Sequence, residues 1–187
     1  MTTEQLPEYA RVVRSLKCGL HPFRSLLPRF EESPTIQRVA TADMPIVSLL
    51  DLAFVEITEG EGFCFVNVEN PEKPVIILFE SYYIKGNPLD LYIDLAHELT
   101  HLRQYAEGKE LWDHEFHYVD RATEIEGYAI AVEEGIRLGM TEEQVMRHLF
   151  NPWLSPAETS RLRANIEKFL ERQRNLEPRM NLLRPSV

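Results

Sequence analysis

The segment from Asn87 to Gly108 reads NPLDLYIDLAHELTHLRQYAEG and predicts one long helix over about residues 88–107. Asn87 before Pro88 is typical of a helix start, because Asn caps free amide groups and proline fits the first helical position. Gly108 is typical of a helix end. Within the helix lies the sequence HELTH at residues 97–101, which places two histidines one turn apart.

The HELTH sequence has the spacing that a zinc site on a helix requires. His97 and His101 share one helical face, so both imidazoles can bind one ion, while Glu98 lies to the side near an open coordination position. Bound zinc lowers the pKa of its water towards neutrality, and a carboxylate there can accept a proton at physiological pH. The sequence therefore predicts Zn²⁺ as cofactor, His97 and His101 as metal ligands, and Glu98 as the catalytic residue.

The apolar residues of this helix offer a competing interpretation of the two histidines. Projected at about 100° per residue, the apolar side chains form one stripe, and both histidines fall on the side away from it. The stripe consists of Leu91, Leu95, Leu99, Leu102 and Ala106. The alternative to a metal site is therefore a pair of solvated histidines on the surface of an amphipathic helix.

A third ligand has to come from elsewhere, because catalytic zinc usually has three protein ligands and one open position. A second helix is predicted over about residues 120–138, and it carries Glu124 and Glu126. Glu124 shares its helical flank with Tyr128 and Ala131, whereas Glu126 lies among charged residues. An inward ligand should have apolar neighbours, so we predict Glu124 as the third metal ligand and keep Glu126 as an alternative.

Other polar residues near the two helices are candidates for supporting roles. His114 and His117, in the connecting segment, are alternative third ligands or hydrogen-bond donors to the oxyanion that forms when water attacks a carbonyl. Asp94, one turn before His97, is a candidate to orient an imidazole. Ordinary solvated side chains are the alternative for each. The tyrosines with a similar candidacy for the oxyanion are Tyr105, Tyr118 and Tyr128.

Composition limits the class of partner. The 187 residues carry a formal charge of −10, which argues against a nucleic-acid partner and against an anionic membrane surface. Two cysteines, Cys18 and Cys64, are too few for a disulfide framework. We see no apolar segment typical of a signal peptide or a membrane span, and we expect a soluble, cytoplasmic protein. The sequence does not indicate an oligomeric state.

Three short runs rich in Val, Ile and Phe precede the first long helix and predict β-strands at 53–58, 62–68 and 74–80. The links between them are short, which favours antiparallel hairpins. The segment before them, to about residue 30, contains a possible helix from Glu8 to Lys17 and loops. Strands followed by helices are typical of an α+β domain.

Two capping boxes, Thr141–Gln144 and Ser155–Glu158, predict further helices at the C-terminal end. The expected fold is α+β, with a small antiparallel or mixed three-stranded sheet. This sheet would pack on the helix that carries HELTH, an HExxH sequence, and on the helix that carries Glu124. The expected organisation is a single domain of residues 1–187, with a core of about 45–139, an N-terminal helical and loop extension of 1–44, and a C-terminal helical extension of 140–187.

The pair HELTH and EIEGYAIA, the latter at residues 124–131, resembles the gluzincin metallopeptidases, in which HExxH is completed by a glutamate from a later helix. It looks most like the ImmA/IrrE-type and minigluzincin branches, which typically carry Glu-x-Glu-Ala-Asn. Gly127 stands where alanine is usual, and Tyr128 where Asn or Asp is common. The resemblance implies a zincin-like metallopeptidase domain.

The resemblance also implies the reaction and the substrate. A metal-activated water would hydrolyse the peptide bond, with Glu98 as general base and then general acid. The substrate would be a protein or peptide that pairs with the strand Pro74 to Glu80 as an edge strand. One alternative is a zinc-binding, catalytically inactive peptidase-like domain that acts as an interaction or regulatory module. Another is a helical interaction protein whose HExxH sequence binds no metal.

Overall fold

The computed structural model describes residues 3–41 and 43–182. Within them, four strands form one mixed sheet: β1 (Gly19–Pro22), β2 (Phe54–Thr58), β3 (Cys64–Asn67) and β4 (Val75–Phe79). The α-helices of the same residues are α1 (Phe23–Leu26), α2 (Ile46–Leu52), α3 (Glu80–Lys85), α4 (Pro88–Ala106), α5 (Ala122–Arg137), α6 (Glu142–His148) and α7 (Pro156–Leu182). The expected α+β class is confirmed.

The sheet has four strands in the order β1-β2-β4-β3, so the expectation of three strands is wrong by one. β3 and β4 pair antiparallel, as their short link predicted, but β2 pairs with β4 in parallel. β4 therefore lies inside the sheet, and its predicted edge position is wrong. β3 is an edge strand of the sheet and contacts α4. After β2 the chain forms β3 at this edge and then returns, so that β4 lies between β2 and β3.

The missing strand comes from the N-terminal segment. The predicted helix from Glu8 to Lys17 is wrong: only Glu8–Ala10 form a 3₁₀ turn, and no regular secondary structure follows up to residue 17. Arg14 instead donates hydrogen bonds to the carbonyl oxygens of residues 83, 84 and 86, which tie the segment to α3. β1 then pairs antiparallel with β2 at the far edge of the sheet.

Helix α4 begins and ends as its terminal residues predict. The Asn87 side chain accepts hydrogen bonds from the amides of Leu89 and Asp90, at 2.9 and 3.3 Å. Gly108 follows the helix with a φ of 76°, a backbone angle that residues other than glycine rarely adopt. Residues on every side of α4 are buried, since the sheet covers one side and α5 another. The interpretation of His97 and His101 as solvated surface residues is therefore wrong.

Helix α5 packs along α4, and α7 packs on α5. The capping box at Thr141 is present in full, with reciprocal bonds to Gln144, and Ser155 and Glu158 make the same exchange before α7. One cluster of buried hydrophobic residues extends from Leu6 to Leu170. Among the described residues, no helix combines the length and apolar character needed to cross a bilayer.

Candidate metal centre

The structure brings His97, His101 and Glu124 together at the interface of α4 and α5. One ligand atom from each lies within 4.8 Å of the other two. The two Nε2 atoms are 3.5 and 3.6 Å from Oε2 of Glu124, and all three residues are at most 7% exposed. Their positions follow from the helical repeat on α4 and from the close packing of α5 against it.

The donor set fits zinc in type and in spacing. Two imidazole nitrogens and one carboxylate oxygen are ligands that zinc commonly takes, at about 2.0–2.1 Å each. Tetrahedral donors at that distance lie about 3.4 Å from one another, close to the nitrogen-to-oxygen distances between the histidines and Glu124. Nδ1 of His97, on the other side of its ring, is buried without a hydrogen-bond partner among the described residues.

Burial and mutual contacts shift the pKa values of all three side chains in the cluster. Burial and the neighbouring imidazole of His101 lower the pKa of His97 to about 4. Burial also disfavours the charged form of His101, but its contact with Glu124 and the charge of Glu98 outweigh this and raise its pKa to about 9. Burial would raise the pKa of Glu124, yet its contacts with both imidazoles lower it well below the usual range. A bound cation would replace the proton that His101 carries.

Glu98 lies beside the three converging side chains and is 9% exposed. Burial raises its pKa to about 8, partly opposed by the positive charge of His101 and by a backbone hydrogen bond from Val66 on β3. A carboxylate with a pKa near neutrality can both accept and release a proton at physiological pH. Glu98 and the three candidate ligands line one cavity of about 570 Å³.

The alternatives for the third ligand lie elsewhere. Glu126 points away from the histidines and binds Arg103 and Gln104 at 2.6 and 2.8 Å. His114 is exposed, and His117 is half exposed and pairs with a glutamate at the start of α7. Of the candidates considered, only Glu124 meets His97 and His101.

Asp94 does not orient His97, the role for which the sequence made it a candidate. One of its oxygens accepts a hydrogen bond from the Tyr82 hydroxyl, and the other lies 3.6 Å from Nδ1 of His148. His148 ends α6, lines the same cavity and has a buried Nε2 without a hydrogen-bond partner among the described residues. A carboxylate–imidazole pair thus stands in the cavity wall beside the candidate metal centre.

Two of the three candidate tyrosines reach the cavity. The Tyr118 and Tyr128 hydroxyl groups are 2.9 Å apart, and Asn151 donates a hydrogen bond to Tyr128. Burial, Tyr128 and the nearby Glu124 all raise the pKa of Tyr118, so its hydroxyl stays protonated and can donate. Tyr105 packs against the hydrophobic core instead and does not line the cavity.

The rim of the cavity carries exposed aromatic side chains from three parts of the chain. They come from the β3 region, from the segment after α4 and from the segment between α6 and α7. Their exposed fractions are 63% for Phe63, 47% for Phe65, 42% for Trp112, 62% for Phe150 and 66% for Trp153. Clustered exposed apolar side chains are typical of an interaction site or a ligand-binding groove.

The roles of three residues that shape the centre were not predicted from the sequence. Gln104 accepts a hydrogen bond from His101, and their separation of one helical turn is a signal that the sequence did contain. Gly127 leaves room for His97, because an added Cβ would lie 3.0 Å from Cε1 of that ring. His148 had no local signal, since only the path of the chain after α5 brings it to the cavity.

Comparisons with protein-family models, with curated proteins and with solved structures found no match to this chain.

Proposed function

We propose that this protein is a zinc-dependent metallopeptidase that hydrolyses peptide bonds. The observation that supports this most is the convergence of His97, His101 and Glu124 on one point of a cavity wall, with Glu98 beside them. A site that only stabilises the fold needs no base next to it, whereas hydrolysis does.

When bound, zinc supplies a Lewis acid and lowers the pKa of a water molecule. Glu98 then accepts the proton of the attacking water and later delivers it to the leaving amine, a sequence for which its raised pKa suits it. Tyr118 and His148 both line the cavity and offer hydrogen bonds to the oxygen on which negative charge develops. On His148 the atom available for this contact is Nε2, because Nδ1 lies 3.6 Å from the Asp94 carboxylate.

The sheet offers a place for an extended peptide substrate. In the antiparallel ladder, Phe63 and Phe65 face β4 with their backbone groups, so those of Cys64 and Val66 point away from it. β3 has no strand on that side among the described residues, and its outer edge borders the cavity. A peptide that pairs there would lie across the candidate metal centre.

The decisive experiment combines elemental analysis with two substitutions. We expect about one zinc per chain in the purified protein, and strongly reduced zinc in His101→Ala. Glu98→Gln should keep its zinc and lose chelator-sensitive cleavage of an unfolded protein substrate, because the base is gone. Glu107→Gln serves as the control, because Glu107 directly follows α4 and lies outside the cavity. This variant should keep both its zinc and its hydrolytic activity. Unchanged hydrolysis in Glu98→Gln would refute the mechanism.

The exposed aromatic rim favours one further candidate, a zinc-binding peptidase-like domain that binds a protein partner without cleaving it. The same variants separate the two functions. A domain of this kind would bind zinc and retain its partner equally well with Glu98 or Gln at position 98, and it would show no hydrolysis in either form.

A further inference from the structure

Of the two histidines, only His101 is held from behind by a hydrogen bond. Its Nδ1 lies 2.8 Å from Oε1 of Gln104, one turn further along α4. Gln104 is fully buried. An amide oxygen can only accept, so Nδ1 of His101 must carry the proton, and Nε2 then faces Glu124 with a lone pair free when the ring is neutral.

The orientation of the Gln104 amide is itself determined by its partners. Its nitrogen donates to the Thr123 carbonyl oxygen at 3.1 Å and to Oε2 of Glu126 at 2.8 Å. Both partners are acceptors without a proton to give, so the amide nitrogen has to face them. The oxygen of the amide is thereby directed at His101.

Glu126 anchors this arrangement from α5, the helix that carries Glu124. Oε1 of Glu126 accepts a hydrogen bond from Arg103 at 2.6 Å. Nζ of Lys109 lies 3.4 Å from Oε2, the oxygen that Gln104 contacts. Arg103 is 3% exposed, so this ion pair joins the two helices in a mostly buried position directly beside the candidate ligands.

We propose that Gln104 and Glu126 are positioning residues of the metal centre, and that the path Glu126–Gln104–His101 presents Nε2 of His101 to the metal. This inference rests on the proposed metal site. It gives Glu126 a role in holding the ligand histidine in place of the ligand role considered for it from the sequence. It also accounts for the contacts of Glu126 with Arg103 and Gln104 on α4.

His97 differs from His101 in how its ring is held. Nδ1 of His97 has no hydrogen-bond partner among the described residues, so its ring is held by packing against Tyr128 and Gly127. Removing the acceptor behind His101 would leave both rings without such support. Partners of this kind typically change metal affinity by about 10- to 100-fold.

The test is a double-mutant cycle read out as zinc affinity, measured by competition with a chromophoric chelator. Gln104→Met keeps the volume and removes the acceptor, and it should lower zinc affinity about 10- to 100-fold. Glu126→Met should lower it less, because the Thr123 carbonyl still holds the amide. The double variant should match Gln104→Met within about two-fold, since the path passes through Gln104.

Glu107→Met is the matched control. Glu107 contacts the same Arg103 and Lys109 and has the same side-chain exposure of 25% as Glu126. The side-chain hydrogen bonds of Gln104 within the described residues go to His101, Thr123 and Glu126 and not to Glu107. Its substitution should leave zinc affinity within about two-fold. Thermal unfolding of each metal-free variant shows that the fold is retained.

A second readout does not depend on zinc. In the metal-free protein, we expect a slowly exchanging Nδ1 proton of His101 in NMR spectra, and its loss in Gln104→Met. Full zinc affinity in a folded Gln104→Met variant, or losses that simply add in the double variant, would overturn the positioning role. If the unaltered protein binds no zinc, the proposed function fails, and the inference that rests on it falls as well. The Nδ1 proton then shows only whether the hydrogen-bond path itself exists.

Discussion

Helix α5 carries two buried glutamates against α4, and their surroundings differ in kind. Glu134 is fully buried and accepts hydrogen bonds from Ser33, Tyr92 and Arg137. Burial alone would raise its pKa, but these donors, Arg137 foremost, lower it. The charge of Glu134 is therefore balanced within the chain, as expected of a carboxylate that stabilises a fold.

Glu124, nearer the start of the same helix, has two imidazoles where Glu134 has an arginine. Neutral imidazole offers Nε2 as an acceptor, so three acceptors converge unless a proton or a cation lies between them. A carboxylate that stabilises the fold and a candidate metal ligand therefore have different partners. Burial is common to both, and the difference is whether the chain itself provides the positive charge.

The largest change in zinc affinity is expected at Glu124. Glu124→Gln should lower zinc affinity by more than about 100-fold, which exceeds the loss typical of a residue that only orients a ligand. Glu134→Gln should leave zinc affinity unchanged. Chelator competition on both variants decides the matter, and equal zinc binding by Glu124→Gln and the unaltered protein would remove Glu124 from the ligand set.

The second test concerns the contribution of Glu134 to the free energy of unfolding. Glu134→Ala should lower the free energy of unfolding by about 2 kcal/mol, since it leaves Tyr92 and Ser33 without their acceptor and Arg137 without its partner. Arg137 is 34% exposed at its side chain and can turn towards water, which keeps the loss moderate. Urea unfolding of the metal-free Glu134→Ala variant measures this loss. A free energy of unfolding equal to that of the unaltered protein would contradict the structural role of Glu134.

Above pH 6.5 the metal-free protein should lose stability at the candidate metal centre but not at Glu134, whereas in acid the lowered pKa values of Glu124 and Glu134 act in the same direction. The folded-state pKa of His101 is about 9, above its ordinary 6.5, so its contribution is complete below pH 6.5 and is lost as pH rises towards 9. Glu98, raised to about 8, acts in the same direction. Glu134 has a lowered pKa, so its contribution is lost in acid.

We therefore expect the stability of chelator-treated protein to fall from pH 6.5 to 9, by at most about 1.4 kcal/mol per pH unit for each proton. Glu124→Gln should flatten this fall, because Glu124 is what raises the pKa of His101. Zinc should bind more tightly over the same range as the competing proton leaves. A stability profile that is flat or rising in the unaltered protein would contradict the assignment.

The smallest expected effect concerns two glycines of α5. Gly127→Ala places a Cβ 3.0 Å from Cε1 of His97, so the ring must shift by a few tenths of an ångström. We expect zinc affinity to fall by less than about 10-fold, the lower end for a change that acts through a ligand's position. Gly135→Ala, whose Cβ would meet the flexible Met140 side chain, is the control and should leave zinc affinity unaltered.

Local signals explain what the sequence predicted well. Asn87, Gly108 and the two C-terminal capping boxes act within a few residues of the chain, so the helix ends follow from neighbours alone. The convergence of His97 with His101 depends only on helical spacing. The preference for Glu124 over Glu126 depended on apolar neighbours along one flank, and the structure places Glu124 with the histidines and Glu126 away from them.

Contacts distant in the chain explain what the sequence did not predict. β1 is short, ends in proline and owes its conformation to pairing with β2. The interior position of β4 results from a parallel pairing that a short link between strands does not indicate. Asp94 was a candidate to orient His97, with a solvated side chain as the alternative. Its partners are instead Tyr82 and His148, and His148 lies on a helix distant in the chain from HELTH.

The aromatic rim has a practical consequence, because the chain contains two tryptophans and both belong to it. Trp112 and Trp153 are partly exposed on segments that flank the cavity from different sides. Ultraviolet emission of the whole protein is thus a local signal, free of background from indoles elsewhere. A molecule that enters the cavity would change the polarity around one or both rings, and binding can be followed without any label or any turnover.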